Sequence, residues 1–85
     1  MRQKFILGIL TPLELMDVYH HIINLIRSTP QNQIISALAI KKNSGERIRL
    51  RLFILNNKVY YFDKGNKRSA NPLRLNSYKS ITIIT

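Results

Sequence analysis

The chain has 85 residues, enough for one small domain with a single hydrophobic core. Its 14 Lys and Arg residues outnumber the four acids and give a net charge of +10, which predicts a polyanionic partner such as nucleic acid or an anionic membrane surface. The absence of cysteine excludes a disulfide framework and a cysteine-based zinc site, and it fits a reducing compartment such as the cytoplasm. No apolar run approaches the roughly 20 residues that span a bilayer, and the N-terminal run is too short for a signal peptide.

A helix is predicted to follow a short apolar N-terminal segment. Residues 4–10 predict either a strand or an extended arm that packs on the domain. Thr11 is a suitable N-cap, Pro12 suits the first helical position, and Glu14 has the spacing of a capping box. Hydrophobic residues then recur with the helical period over about half of the circumference. Because Pro30 cannot continue a helix, we expect the helix to end two or three residues before it.

Residues 34–42 predict a strand that returns through a turn into a second strand. A three-residue turn at Asn43-Ser44-Gly45, with the glycine in the left-handed position, would pair Ile40 with Ile48. We favour this register because it keeps the large apolar side chains of both strands on one face. The opposite face would then carry the two alanines of the first strand, Ala37 and Ala39.

Residues 46–62 contain the clearest pattern in the chain. Apolar side chains from Ile48 to Ile54 alternate with arginines, which places the two kinds of side chain on opposite faces of a strand. Asparagine tolerates positive φ, so Asn56-Asn57 suits a two-residue turn, and this turn pairs Phe53 with Tyr60. The polar face of this hairpin then carries Arg47, Arg49, Arg51, Phe53, Tyr60 and Phe62.

The arginine face of this hairpin favours a polyanion. Neighbours on the same face of a strand are roughly 6.6–7 Å apart, a spacing similar to the repeat of phosphates along a nucleic-acid strand. Alternating charge is also typical of any half-exposed sheet, and most such faces bind nothing. Three arginines with no acid among them nevertheless favour the phosphate-facing interpretation.

The C-terminal third is predicted to be loop-like before a final strand. Residues 63–78 are polar and basic, and Gly65 and Pro72 argue against a long helix there. Residues 80–85 have high β propensity, so we expect them to pair at an edge of the sheet. These elements predict a single two-layer α+β domain, with one amphipathic helix packed on an antiparallel sheet of three to five strands. A second basic group in this third of the chain comprises Lys58, Lys64, Lys67, Arg68, Arg74 and Lys79.

Patterns of catalytic or metal-binding residues are weak. His20 and His21 are adjacent on the predicted helix, about 100° apart, and therefore cannot chelate one ion. The acids are scattered, and Ser, His and Asp residues occur at no recognised catalytic spacing. A metal-independent ribonuclease site built from His20, Arg49 and Tyr60 is the least favoured alternative.

The charge pattern favours a structural RNA-binding protein that recognises the shape and backbone of folded RNA rather than its base sequence. Its affinity should fall by roughly 0.7–0.9 log units per phosphate contact for each tenfold rise in salt. The alternative is a small interaction module whose edge strands add to the sheet of an acidic protein.

The order of motifs resembles a ribosomal protein family. Residues 12–18, Pro-Leu-Glu-Leu-Met-Asp-Val, and the helix that runs on to Arg27 are similar to the opening of the thirty-eighth protein of the large subunit of eukaryotic ribosomes. Residues 40–43, Ile-Lys-Lys-Asn, are similar to the end of that family's first strand, and residues 48–52 to its alternating basic strand. Residues 59–64 resemble its aromatic strand and the Asp-Lys pair that follows.

This resemblance implies a component of the large ribosomal subunit that binds rRNA backbone in the cytoplasm and has no catalytic activity. Residues 1–11 have no counterpart in the family, and residues 65–72 replace its lysine-rich second helix. The implied partners are structured RNA and neighbouring ribosomal proteins, without a cofactor, a metal, a membrane or a small-molecule substrate. The predicted RNA-binding residues are Lys41, Lys42, Arg47, Arg49, Arg51, Phe53, Lys58, Tyr60, Phe62, Lys64, Lys67, Arg68, Arg74 and Lys79.

Overall fold

The computed structural model describes residues 2–29, 34–63 and 67–84. Within these ranges one α-helix follows the first of six β-strands, and a short 3₁₀ turn at Leu75–Ser77 precedes the last strand. The bounds of the elements are β1 Arg2–Ile6, α1 Pro12–Arg27, β2 Ile35–Lys41, β3 Arg47–Leu55, β4 Lys58–Asp63, β5 Lys67–Arg68 and β6 Tyr78–Ile84.

Helix α1 begins and ends where its sequence signals predict. The Thr11 N–H donates to Glu14 Oε1 at 3.0 Å, and the Glu14 N–H donates to Thr11 Oγ1 at 3.3 Å, which completes a capping box. At the other end, the N–H and the hydroxyl of Ser28 both donate to the carbonyl of Asn24. These bonds satisfy backbone groups that a helix end leaves without partners. The predicted cap and the predicted end near Arg27 are confirmed.

The described strands form one antiparallel sheet in the order β1-β6-β2-β3-β4-β5. One helix packed on an antiparallel sheet confirms the predicted α+β class, but the predicted count of three to five strands is wrong. The prediction that the last strand pairs at an edge is also wrong, because β6 lies between β1 and β2. Its apolar side chains Ile81 and Ile83 are fully buried, and β1 contributes Phe5 beside the first of them. The predicted segment of residues 4–10 is therefore a strand only in its first part, since β1 ends at Ile6 and residues 7–10 continue as a loop.

The register between β2 and β3 differs from the predicted one. Ile40 pairs with Arg47 rather than with Ile48. The connecting loop consists of residues 42–45, one residue longer than predicted, and the Gly45 N–H donates to the Lys41 carbonyl at 3.0 Å. Gly45 has a φ of 71°, so its predicted left-handed conformation is confirmed.

This register places the alanines of β2 in the core, which corrects the predicted arrangement. Ala37 is fully buried and lies between Leu50 and Ile83, and Ala39 likewise has an isoleucine on each side. Small side chains between large ones fill a layer of the core without voids and without strain. The side chains that alternate to the opposite face are Ser36, Leu38 and Ile40.

The hairpin of β3 and β4 has the predicted register, since Phe53 pairs with Tyr60. Asn56 and Asn57 form its two-residue turn with φ values of 53° and 63°. Positive φ at both positions is the type I′ geometry, whose twist matches that of the flanking strands. Arg27 Nη2 donates to Asn57 Oδ1 at 3.0 Å, which connects the end of α1 to this turn.

The segment after β5 covers the outer edge of β4. The Ser69 N–H donates to the Tyr61 carbonyl at 2.8 Å, and the Leu73 N–H donates to the Val59 carbonyl at 2.7 Å. The hydroxyl oxygen of Tyr19 on α1 accepts a hydrogen bond from the Val59 N–H at 2.7 Å. These bonds use backbone groups that an exposed edge strand would offer to another chain.

Two predicted segments are not fully described. The turn at residues 31–33 lies outside the described residues, as do residues 64–66 of the loop-like region. Residues 67–77 form β5, a loop and the 3₁₀ turn, and Tyr78 begins β6, so the absence of a long helix is confirmed for this described part of the region.

The two faces of the sheet differ in what covers them. The core face buries aliphatic side chains against Ile22 and Ile26 of α1. The opposite side is the outer face, and α1 does not cover it. By strand alternation, the outer face comprises Arg2, Lys4, Ile6, Ser36, Leu38, Ile40, Arg47, Arg49, Arg51, Phe53, Leu55, Lys58, Tyr60, Phe62, Arg68, Ser80, Thr82 and Ile84. Within the described ranges, no helix has the length and apolar character needed to cross a membrane.

Candidate nucleic-acid interface

Exposed cations are concentrated on the outer face. Arg47, Arg49 and Arg51 lie along β3 with exposed side chains, at the same-face spacing of roughly 6.6–7 Å. Their predicted position on the polar face of the hairpin is confirmed, whereas their role stays a prediction. Lys58 on β4 and Arg68 on β5 are also exposed and extend this basic surface toward one margin of the sheet.

Strand β1 adds two cations that the sequence analysis does not include among the binding residues. Arg2 pairs with Ile84 and Lys4 pairs with Thr82, so both cations lie on the outer face, where both are exposed. Their spacing of two residues is a signal that could have found them. This spacing indicates a shared face only if residues 2–6 form a strand. The sequence left open whether this segment is a strand or an extended arm, so the spacing could not be used.

Three aromatic rings lie beside the arginines on β3 and β4. The centroid of the Phe53 ring is 4.7 Å from that of Phe62 and 6.1 Å from that of Tyr60. Arg51 Cζ lies 4.9 Å from the Phe62 centroid, and Arg68 Cζ lies 5.4 Å from the Phe53 centroid. Cation–π attraction holds these guanidinium groups against the rings, and both kinds of group stack on nucleic-acid bases. This aromatic cluster can therefore offer positive charge and stacking surface at one place.

Some predicted binding cations lie at the margin of the sheet or outside the described residues. Lys41 forms an ion pair with Glu46, with Nζ 3.3 Å from Oε1, so part of its charge is neutralised. Lys42 lies in the loop of residues 42–45 and is exposed there. Lys64 lies outside the described residues.

The predicted second basic group does not form one surface with the arginines. Lys67 precedes an outer-face residue on β5, so alternation places it on the other side of the sheet. Lys79 lies where the pairing of β6 with β2 shifts register, so alternation assigns it to neither face. Arg74 lines a groove beside Leu15 and Tyr19 of α1. Of the five cations of this group that the structure describes, Lys58 and Arg68 share the outer face with the β3 arginines. Residues that follow one another in the chain are thus divided between two sides of the sheet, which composition could not reveal.

The acidic side chains that the structure describes lie away from the outer face. Glu14 and Asp17 are on α1, and Glu46 precedes β3 beside its lysine partner. Hydrogen bonds from the backbone and side chain of Thr11 hold the pKa of Glu14 below its ordinary value of 4.5. The cations of the outer face therefore have no described carboxylate among them, and the face is strongly electropositive.

The paired histidines form no metal site. His21 Nε2 is hydrogen-bonded to Gln3 Oε1 at 2.9 Å, and the His21 ring meets the Phe5 ring edge to face at 5.7 Å between centroids. His20 is exposed on α1. Over residues 2–29, 34–63 and 67–84, no group of three or more His, Asp or Glu side chains is placed to hold a metal ion.

The three residues of the ribonuclease alternative do not converge. His20 belongs to α1, which packs against the core face, whereas Arg49 and Tyr60 lie on the outer face. A general base and a phosphate-binding group must both reach the same reacting atoms. This trio therefore does not provide a catalytic site.

The fold and the interface define a small two-layer α+β protein whose uncovered sheet face is basic and partly aromatic. Neither a protein family, nor a curated protein, nor a solved structure matches this chain.

Proposed function

We propose that this protein binds RNA through the outer face of its sheet and has a structural rather than a catalytic role. The observation that supports this best is the separation of charge. Exposed arginines and lysines from β1, β3, β4 and β5 share the outer face, while the described acids lie elsewhere. Folding does not require such clustering, whereas a polyanion is attracted to it.

The aromatic cluster favours RNA with accessible bases over a uniform polyanion. Phe53, Tyr60 and Phe62 are half-buried in the sheet and present their remaining surface beside guanidinium groups. RNA loops and bulges expose bases that stack on such surfaces, whereas a regular duplex keeps its bases inside. We therefore expect backbone contacts to supply most of the affinity and stacking to favour unpaired segments.

A place in the large ribosomal subunit is the more specific form of this proposal, and it rests on the resemblance in motif order. Under it, the protein contacts rRNA backbone in the cytoplasm beside other ribosomal proteins. The test is sedimentation of the native protein with ribosomal particles at low salt and its release at high salt. A protein that stays at the top of the gradient at low salt is not a ribosomal component, although it can still bind RNA.

The binding experiment measures the affinity for a labelled RNA hairpin with an unpaired loop, by fluorescence anisotropy, from about 50 to 200 mM salt. Replacing Arg47, Arg49 and Arg51 by Gln should weaken binding strongly. Three lost phosphate contacts, at about 0.7–0.9 each, should also lower the slope of log affinity against log salt by about 2.1–2.7.

A matched control variant replaces Arg27, Lys67 and Arg74 by Gln. It lowers the net charge of +10 by the same three units, but on residues that do not belong to the outer face. We expect it to retain most of the affinity and most of the salt slope. Equal losses of RNA affinity in the two variants would show that binding depends on net charge alone. That result would overturn the assignment of the outer face as the binding surface.

Strand addition to an acidic protein is the second candidate, and the free edge of β1 favours it. β1 pairs with β6 on one side and with no described strand on the other, and it carries Arg2 and Lys4. An acidic partner strand could use this edge. Purification of the native protein distinguishes the two candidate functions. RNA binding predicts that RNA copurifies, whereas strand addition predicts a single acidic protein in stoichiometric amount.

A further inference from the structure

A shallow depression lies on the outer face between its two ends of positive charge, Lys4 and Arg47. It has a volume of about 240 Å³ and spans four strands, β1, β6, β2 and β3. Its lining side chains fall on two adjacent rungs of the sheet. One rung consists of Lys4, Thr82 and Leu38, and the next consists of Ser80, Ile40 and Arg47.

The two cations stand at opposite ends of this depression. Lys4 belongs to β1 and Arg47 to β3, three strand spacings of about 4.8 Å apart. Both side chains are exposed, and neither is bonded to another described side chain. Long flexible side chains at the two ends can therefore close on an anion that lies between them.

Between the cations the depression is amphipathic. The floor is formed by Leu38 and Ile40 of β2, and the neighbouring strand β6 contributes the hydroxyl-bearing residues Ser80 and Thr82. A ligand that fits must present anionic groups, an apolar surface and hydroxyls. Sites for drug-sized ligands occupy about 300–1,000 Å³, so this volume suits a fragment rather than a whole cofactor.

We propose that the depression seats one sugar–phosphate unit of the bound RNA strand. The phosphates on either side of the sugar contact Lys4 and Arg47, the carbon face of the ribose lies on Leu38 and Ile40, and a ribose hydroxyl bonds to Thr82. This inference rests on the proposed function, because it names how that face holds the RNA backbone. It makes β1 a part of the interface.

A small probe tests the subsite directly. Ribose 5-phosphate is titrated into the ¹⁵N-labelled full chain, with ribose and inorganic phosphate as separate comparisons, and amide shifts are recorded. We expect saturable shifts at Lys4, Ser80 and Thr82 with ribose 5-phosphate. Inorganic phosphate should shift the same amides with weaker affinity, and ribose alone should shift none of them. Shifts spread evenly over all exposed basic residues would overturn the subsite.

Variants then connect the subsite to RNA. The double variant K4Q/R47Q should lose the ribose 5-phosphate shifts, and its salt slope for RNA should fall by about 1.4, from two contacts of about 0.7 each. The control K67Q/R74Q removes one lysine and one arginine from outside the outer face and should preserve both readouts. A dispersed amide spectrum from each variant shows that it is folded.

A third variant separates the failure of this inference from the failure of the proposed function. If R49Q/R51Q weakens RNA binding but K4Q/R47Q does not, the inference fails and the proposed function stands. If the wild-type protein binds no RNA, or binds it equally in all three double variants, the proposed function fails and the inference with it. Replacing Thr82 by Val should reduce the preference for RNA over DNA of the same sequence, and an unchanged preference would remove the ribose hydroxyl contact.

Discussion

Single residues at the start of α1 couple helix stability to pH. Thr11 and Glu14 exchange two hydrogen bonds there, and the carboxylate also places negative charge at the positive end of the helix. Hydrogen bonding of the Glu14 carboxylate to the backbone N–H and the side chain of Thr11 favours its charged form, so the pKa of Glu14 is lower in the folded protein than its ordinary value of 4.5. A group with a lowered pKa stabilises the fold above its unfolded-state pKa, and this stabilisation is lost as the pH falls through the folded-state value.

Replacing Glu14 by Gln tests this coupling. The amide keeps a hydrogen-bond acceptor for the Thr11 N–H but carries no charge. We expect E14Q to have a lower Tm than the wild-type protein at neutral pH, and the difference should shrink as the pH falls below about 4.5. Thermal unfolding followed by circular dichroism at several pH values measures it. A difference that stays constant down to low pH would show that the charge of Glu14 does not contribute.

Turn chemistry decided which strand registers could be predicted. Asn56 and Asn57 are an unambiguous turn pair, because asparagine tolerates the positive φ that both positions adopt, and the register of β3 and β4 follows from it. The loop of residues 42–45 is different, since every residue in it is compatible with turns of several lengths. The register predicted for this loop depends on which face of β2 enters the core. The prediction places the larger side chains of Leu38 and Ile40 in the core, whereas the structure buries the alanines instead.

The alanine face of β2 gives a mutational test of this register. Ala37 is fully buried between Leu50 and Ile83, whereas Ser36 lies on the outer face. Extending a side chain in a packed core costs about 1–3 kcal/mol, so A37L should lower the free energy of unfolding by that amount. The neighbouring change S36L should stay within about 0.5 kcal/mol of the wild-type value. Urea denaturation measures both, and the reverse order of effects would support the register predicted from the sequence, in which Ile40 pairs with Ile48.

Strand order is the part of the fold that local patterns could not supply. The alternation of Ile81 and Ile83 with polar residues indicates a half-buried strand, but it does not say which strands lie on either side. β6 is paired on both sides because β1, from the other end of the chain, lies beside it. The same long-range pairing brings Lys4 next to Thr82. The arginines of β3 could therefore be predicted from alternation within one strand, whereas the Lys4–Arg47 depression could not.

For the molecule as a whole, the distribution of charge opposes folding. The net charge is +10, and the outer face concentrates much of it while the described acids lie elsewhere. Clustered like charges repel one another in the compact state, and the unfolded chain relieves this repulsion by separating them. Arg47 and Arg49 therefore add little to the stability of the free protein, and binding of a polyanion would convert the repulsion into attraction.

The cost of this charge repulsion to folding stability can be measured at Arg49, because Arg49 lies between Arg47 and Arg51 on the outer face of β3. Two unit charges about 7 Å apart in water repel by about 0.6 kcal/mol, so R49Q should raise the Tm of the free protein by a few degrees at low salt. The Debye length falls from about 30 Å at 0.01 M to about 3 Å at 1 M salt, so the gain should vanish at high salt. The control K67Q removes one charge outside the outer face and should raise the Tm less.

The two readouts of R49Q, stability and binding, should move in opposite directions. If the outer face holds RNA, the variant gains thermal stability and loses RNA affinity, which is typical of residues retained for binding at the expense of folding. A gain that persists at about 1 M salt would trace the effect to packing or strand propensity rather than to charge. A variant that loses stability at low salt would show that Arg49 is part of the fold, and the repulsion argument for this face would then be wrong.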